Sequence, residues 1–233
     1  MENRPYVTAI IVAAGNSTRM GCGMSKQFIP LLGKPAVGYT LKAFEESYSI
    51  SEVVVVCRES DLAQIKEVAE NENCTKVKAF VFGGETRSES VKNGIMSASD
   101  KTTHFAIHDG ARALILPEDI DSVVSVAFES RAATLVVPVT DTIKVIDNDG
   151  FIVSTPVRAN LRAAQTPQVF EKELYLSALK ATEGEDFTDD CALVETVGAK
   201  VKTVIGNYSN IKLTTVQDIP LAEAVLKKRL GRG

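Results

Sequence analysis

T-A-I-I-V-A-A-G-N-S-T-R-M-G-C-G-M-S-K-Q-F, from Thr8 to Phe28, is the stretch whose reading decides the fold. Ile10, Ile11 and Val12 form a short apolar, β-branched run that reads as a buried strand. Ala13, Ala14 and Gly15 follow, and then a loop that carries Gly21, Gly23, Ser17, Thr18, Arg19 and Lys26. A buried strand running into such a loop can hold a polyphosphate: small residues admit the ligand, bare N–H groups point at it, and the cations neutralise it. Charged loop side chains are commonly just solvated. Two features count against that reading for Arg19 and Lys26. They flank a glycine-rich loop directly after the first strand, and Gln27-Phe28-Ile29-Pro30 follows Lys26 and should pin the loop's exit.

Outward from this stretch, strand and helix patterns alternate. Strands are expected at Val7–Ala13, Glu52–Cys57, Val77–Phe82, Phe105–His108 and Ala133–Val137. Helices are expected at Ala36–Glu46, Asp61–Asn71, Ser88–Ser97 (Val91, Ile95 and Met96 inward) and Pro117–Phe128. This order predicts an α/β fold, a Rossmann-like open, mainly parallel sheet with helices on both faces and ligands at the carboxyl ends of the strands. Past Val137 the pattern changes. Thr142–Thr155 reads as two short strands about Asn148-Asp149-Gly150, a protruding β-hairpin arm spanning about 139–162. Ile143, Val145, Ile152 and Val153 need cover, and a lone hairpin is marginal, so a partner subunit is expected there. Gln165-Thr166-Pro167-Gln168 returns to the body. Glu171–Ala181 and a segment starting at Thr188-Asp189-Asp190 read as helices, Val201–Ile205 and Ile211–Leu213 as strands, and Thr215 as the cap of a last helix with Asp218 three residues on. With no internal repeat and no linker, 1–233 reads as one domain with an arm.

Composition excludes several classes. Hydrophobic residues are 45% and charged residues 24% of the chain, so a packed core is expected. A formal charge of −4 argues against nucleic acid as a partner. The apolar run near the N-terminus is too short to span a membrane. Cys22, Cys57, Cys74 and Cys191 form no CxxC pair, which points to reduced thiols, a cytoplasmic setting and no zinc site.

The other loops after strands carry the remaining candidates. A Walker A loop is excluded because Gly33-Lys34 precedes Pro35, and the dinucleotide signature because Ser17 and Met20 hold its second and third glycine places. Asp109, just past the fourth strand, reads either as a Mg²⁺ ligand facing the phosphate loop or as a turn aspartate. His108 reads as structural rather than catalytic. Gly84–Ser90 reads in two ways: Gly84 admits a flat base and Ser90 bonds its edge, or the segment simply starts a helix capped by Ser88. Lys212, beside a predicted strand, would need an anionic partner if buried.

Taken together these pieces resemble a known family. A-A-G-x-x-x-R-M-G (Ala13–Gly21), K-Q-F (Lys26–Phe28), L-G-K-P (Leu32–Pro35), G-G-x-x-R-x-x-S-V (Gly83–Val91), H-D-x-A-R (His108–Arg112), D-T-I-K (Asp141–Lys144), Q-T-P-Q-x-F (Gln165–Phe170), T-D-D (Thr188–Asp190) and N-I-K-L-T-T (Asn210–Thr215) occur in order. This set is similar to the 2-C-methyl-D-erythritol 4-phosphate cytidylyltransferases of the non-mevalonate isoprenoid pathway. The resemblance implies transfer of CMP from CTP to a polyol phosphate, pyrophosphate release, Mg²⁺ and a homodimer built through the arm. It assigns catalytic roles to Arg19, Lys26 and Lys212. Ala13, Ala14, Gly15, Gly84, Arg87, Ser90, Asp109 and Gly110 go to the nucleotide, and Asp109 also to the metal. Asp109, Thr142 and Arg158 go to the acceptor substrate, the last two reaching a neighbouring subunit. Ser17, Gly110 and Ala113 depart from the family's usual glycine, alanine and proline.

The chemistry follows from below. A phosphate monoester has its second pKa near 6, so the acceptor is mostly a dianion at neutral pH and needs no general base. The reaction needs two anions held together and charge on the attacked phosphate dispersed. Rival readings are a ribitol-5-phosphate cytidylyltransferase, a sugar-1-phosphate uridylyl- or thymidylyltransferase, and a non-catalytic nucleotide-binding protein on the same fold.

Overall fold

The structure is a computed structural model that describes residues 5–15, 25–183 and 185–231. Its strands, in chain order, are β1 (Val7–Val12), β2 (Pro30–Leu31), β3 (Lys34–Pro35), β4 (Glu52–Cys57), β5 (Val77–Phe82), β6 (His104–Asp109), β7 (Ala132–Pro138), β8 (Val145–Ile146), β9 (Ile152–Ser154), β10 (Arg162–Glu171) and β11 (Lys202–Ile205). The helices are α1 (Ala36–Glu46), α2 (Leu62–Asn71), α3 (Arg87–Met96), α4 (Pro117–Ser130), α5 (Lys172–Ala181), α6 (Asp190–Glu195) and α7 (Asp218–Arg229). Among the described residues no helix is long and apolar enough to cross a membrane.

Seven strands pair in the order β11-β7-β10-β6-β1-β4-β5, and only β10 runs against its neighbours. The expected open, mainly parallel sheet is present. Alternation along the central strands sorts side chains to two faces. Ile11, Val53 and Val55 face α1, α2 and α4, while Ile10, Val54 and Val56 face α3, α5 and α6. Both sets are buried, which explains why β1 and β4 read as continuous apolar runs. A third cluster packs α7 over the loop after β6, through Ala111, Ala113, Leu114, Leu213, Ala222 and Leu226.

Several expectations need correction. Met96 lies at the end of α3 and is 75% exposed, not inward; that helix packs on the sheet through Val91, Gly94 and Ile95. Ile211–Leu213 is not a strand. Leu213 N–H donates to Ala111 O at 2.9 Å and its side chain is buried under α7, so its apolar pattern reflects that cluster. Asp218 opens α7, and its carboxylate accepts from Thr215 N–H at 2.8 Å; the N-cap position is Gln217, not Thr215. Gln165–Gln168 belongs to the ten-residue antiparallel β10, wedged between β6 and β7. The hairpin is shorter than expected, β8 with β9, and turns where Asp147 Oδ1 accepts from Asp149 and Phe151 N–H and Gly150 sits at φ +88°.

Candidate active site

β1 lies between β4 and β6, at the point where the strand order reverses. Open α/β sheets bind ligands at the carboxyl ends of the strands at such a point. Val12 pairs in register with Asp109, and Gly110 N–H donates to Val12 O at 2.9 Å. Ala13 N–H donates to Val56 O at 2.7 Å, and Gly83 N–H to Cys57 O at 3.0 Å. The loops after β1, β4, β5 and β6 therefore start on one edge. A Cβ on Gly83 would lie 2.4 Å from Ala14 Cβ and 2.8 Å from Ser90 Oγ, so the β1 and β5 loops meet only because Gly83 has none. A Cβ on Gly110 would sit 3.0 Å from Ala13 Cβ. Alanine, the usual family residue there, would press on the β1 loop.

Asp109 is the electrostatic centre. Lys212 Nζ stands 2.8 Å from its Oδ2, Arg112 Nε 3.7 Å from the same oxygen, and Arg87 Nε 3.7 Å from Oδ1. Burial alone would raise the Asp109 carboxyl, but Lys212 and Arg87 outweigh it and hold it at about 2. The expected anionic partner of Lys212 is thus Asp109, and Asp109 is no mere turn residue. A cleft of about 290 Å³ opens here, lined by Arg87, Asp109, Arg112, Gln165, Thr166, Thr188 and Lys212 among others.

Arg87 is held from behind. Its Nη2 donates to Asp190 Oδ2 at 2.8 Å, and Tyr175 OH donates to Asp190 Oδ1 at 2.6 Å. Burial lowers the Arg87 pKa, but Asp190 and Asp109 more than reverse that, so it stays charged. Gln168 Oε1 accepts from Asp190 and Cys191 N–H, and Asp189 caps α6 through Ala192 N–H at 2.9 Å. The T-D-D run thus opens a helix, as expected. Helix α3 is capped by Thr86, not Ser88: Thr86 Oγ1 accepts from Glu89 N–H at 3.1 Å and Glu89 bonds back, a capping box two residues before Ser88. Ser88 instead donates to Asp186. Ser90 Oγ donates to Thr86 O at 2.9 Å and accepts from Gly84 N–H at 3.1 Å, and Glu89 fills the space beside Gly84.

A family model, 2-C-methyl-D-erythritol 4-phosphate cytidylyltransferase, matches residues 7–228. The chain belongs to the 2-C-methyl-D-erythritol 4-phosphate cytidylyltransferase family. It is 46% identical over 225 residues to the protein of that name from Caldanaerobacter subterraneus subsp. tengcongensis, covering 95% of this chain and 99% of that one. With the Pelotomaculum thermopropionicum protein of the same name it shares 42% over 229 residues, 97% of this chain and 96% of that one. The crystal structure of 4-diphosphocytidyl-2C-methyl-D-erythritol synthase from Anaerococcus prevotii superposes with a TM-score of 0.86 at 30% identity, covering 97% of each chain.

Within this cytidylyltransferase, the predicted site residues divide into three sets. Ala13, Ala14, Gly15, Gly83, Gly84, Arg87, Ser90, Asp109, Gly110 and Lys212 share the carboxyl edge of the sheet or the loops on it. Lys26 sits in a 3-10 turn, Lys26–Phe28, whose Gln27 side chain donates to Ala13 O at 2.8 Å, so the loop's exit is pinned to the end of β1 as expected. Arg19 and the loop residues Ser17, Gly21 and Gly23 lie outside the described residues. Thr142 and Arg158 are exposed on the arm and do not line the cleft; Arg158 Nη1 donates to Thr140 O at 2.8 Å. The cleft also holds Arg112, Thr166 and Asp189, which were not singled out as site residues. H-D-x-A-R and T-D-D contain two of them, and an arginine three residues after a strand-end aspartate was an available signal.

His108 is fully buried and structural, as expected. The neutral Nε2–H form donates toward Arg112 O at 3.4 Å and lets Nδ1 accept from Thr166 Oγ1 at 2.9 Å, which in turn accepts from Asp109 N–H. Burial pushes its pKa down to about 3. Between the unfolded value and about 3 the unfolded chain binds the extra proton, so stability falls on acidification. This one group should cost about 2 kcal/mol between pH 7 and pH 5. Urea unfolding at both pH values checks this. A His108→Asn variant should show a smaller loss over that range, and an unchanged slope would place the loss elsewhere.

Proposed function

We propose that this cleft transfers CMP from CTP to 2-C-methyl-D-erythritol 4-phosphate, with release of pyrophosphate, in isoprenoid precursor synthesis. The observation that carries the reading is the convergence of Arg87, Arg112 and Lys212 on Asp109, beside the backbone of Ala13–Gly15. Among the described residues the imidazole nearest the cleft, His108, is neutral and occupied, so it is no base for neutral pH. That suits an acceptor dianion that needs none. Asp109, Asp189 and Asp190 offset the charge of Arg87, Arg112 and Lys212, so in this reading a triphosphate needs further positive charge, a part given to Lys26 and Arg19. In this reading Lys26, Arg19 and Lys212 disperse charge on the attacked phosphate, and the Gly83–Ser90 loop seats the base.

Asp109 fits a divalent ion of the Mg²⁺ type. Such ions take one or two carboxylates and complete their shell with substrate phosphates and water. Asp109 is ionised at every working pH, and its Oδ1 has its nearest charged neighbour, Arg87 Nε, only at 3.7 Å. When bound, the ion supplies charge neutralisation between triphosphate oxygens. The protein's part is to hold Asp109 ionised and aimed through Lys212, Arg112 and Thr166.

The test is pyrophosphate release with CTP, the methylerythritol phosphate, ribitol 5-phosphate and UTP as alternative substrates. Turnover is expected with CTP and the methylerythritol phosphate. CTP binding without release across all acceptors would sink the reading.

We also infer that residues 1–233 act as one domain whose arm makes a homodimer. The support is exposure: Ile146 is 60%, Phe151 73%, Ile152 62%, Val153 64% and Val157 67% exposed in the single chain. Thr142 and Arg158 would then complete a partner's acceptor site. Ile152→Lys with Phe151→Ser should give monomers by light scattering and raise the acceptor KM, leaving CTP binding intact. A variant that stays dimeric would refute the arm as the interface. Free Cys57, Cys74 and Cys191 support a cytoplasmic setting.

A further inference from the structure

We propose that Asp61, which touches no residue of the cleft, is a positioning residue for Lys26. The inference rests on the role given above to Lys26 and adds the means by which that lysine is held. Asp61 is 6% exposed and sits at the start of α2. An aspartate there ordinarily caps its own helix, yet the Asp61 side chain makes no capping bond. Its carboxylate turns to the phosphate loop's exit instead. Oδ2 accepts from Gln27 Nε2 at 2.7 Å and from Ser25 Oγ at 3.3 Å, the two residues that flank Lys26. Arg58 Nε donates to the same oxygen at 2.9 Å, Arg58 Nη2 to Oδ1 at 3.0 Å, and Nη2 also reaches Ser25 Oγ.

One ion pair, with its carboxylate buried and its guanidinium half-buried, therefore grips the chain on both sides of Lys26. The Gln27 amide then carries the grip to β1, since the same Nε2 donates to Ala13 O at 2.8 Å. Gln27 is 1% exposed, and its Oε1 is buried without a hydrogen-bond donor among the described residues. Leaving an amide oxygen unpaired is costly, and the fold tolerates it for the two bonds the amide N–H₂ makes. Phe28 N–H donates to Ser25 O at 2.9 Å, closing the 3-10 turn. A cation on such a clamped turn loses little freedom when it meets a phosphate, which is what charge dispersal in a transition state requires.

The test is a double-mutant cycle between Asp61→Asn and Lys26→Ala, with kcat and KM for CTP and acceptor measured well below each variant's melting midpoint. Asp61→Asn should lower kcat/KM for CTP by about 10-fold or more, with KM for the acceptor within about twofold. In the Lys26→Ala background the same change should cost less than about twofold. Arg58→Gln, at a partly exposed position, gives the same pattern with a smaller loss and serves if Asp61→Asn does not fold. Equal losses in both backgrounds, or no loss beside a crippled Lys26→Ala, would overturn the positioning role alone. Near-normal turnover of Lys26→Ala would overturn it together with the assignment of Lys26.

Discussion

Turnover should fall at least ~10²-fold when Lys26 is replaced by alanine, the scale of removing one preorganised charge-stabilising contact. The loss should appear in kcat as well as kcat/KM, because charge on the attacked phosphate grows between ground state and transition state. Folding should be little affected. Gln27 and Ser25 make the bonds to Asp61 and Ala13 that hold the turn, and both remain in the variant. Steady-state kinetics with CTP and the methylerythritol phosphate, beside a thermal melt, separates the two effects. Near-normal kcat would remove Lys26 from the mechanism.

Asp109→Asn should be comparably damaging, and it should also move stability. Asparagine keeps the shape but leaves Lys212, Arg87 and Arg112 without their shared anion and removes the carboxylate proposed for Mg²⁺. We expect a turnover loss of ~10² or more and a much weaker Mg²⁺ dependence. The folded carboxyl, held at about 2, lies below its unfolded value, so its stabilisation is present above about pH 4 and is lost as pH falls toward 2. Removing it should cost on the order of 2 kcal/mol at pH 7 and progressively less in acid. Calorimetric titration of CTP with and without Mg²⁺, and urea unfolding at pH 7, read the two effects separately. Unchanged metal dependence would show that Asp109 does not hold the ion.

The strands and helices that bury two faces were legible, because the Val53–Val56 run and the Ile120, Val123, Val124, Ala127 spacing each have one physical solution. β10 was not. Its residues alternate poorly, contain Pro167, and lie antiparallel between two strands far earlier in the chain. The charged loop positions could be read because glycine, aspartate and lysine at strand ends have few other uses. Their supports could not. Asp190 behind Arg87 and Asp61 behind Gln27 are joined by 103 and 34 residues of intervening separation, and no local pattern marks such pairs. Ser88 was taken as the α3 cap where Thr86 does the work, although Thr86-x-x-Glu89 is the stronger signal.

The placement of β10 has a bearing on how the molecule is made. On a ribosome, β1, β4, β5 and β6 can associate as soon as they emerge, but β7 has no direct neighbour in that group. It is joined to them only when β10, translated after the whole arm, slides in between. Lys212, the contact nearest to Asp109, emerges later still. A nascent chain can thus assemble the carboxyl edge of β1, β4, β5 and β6 well before Lys212 is there to pair with Asp109.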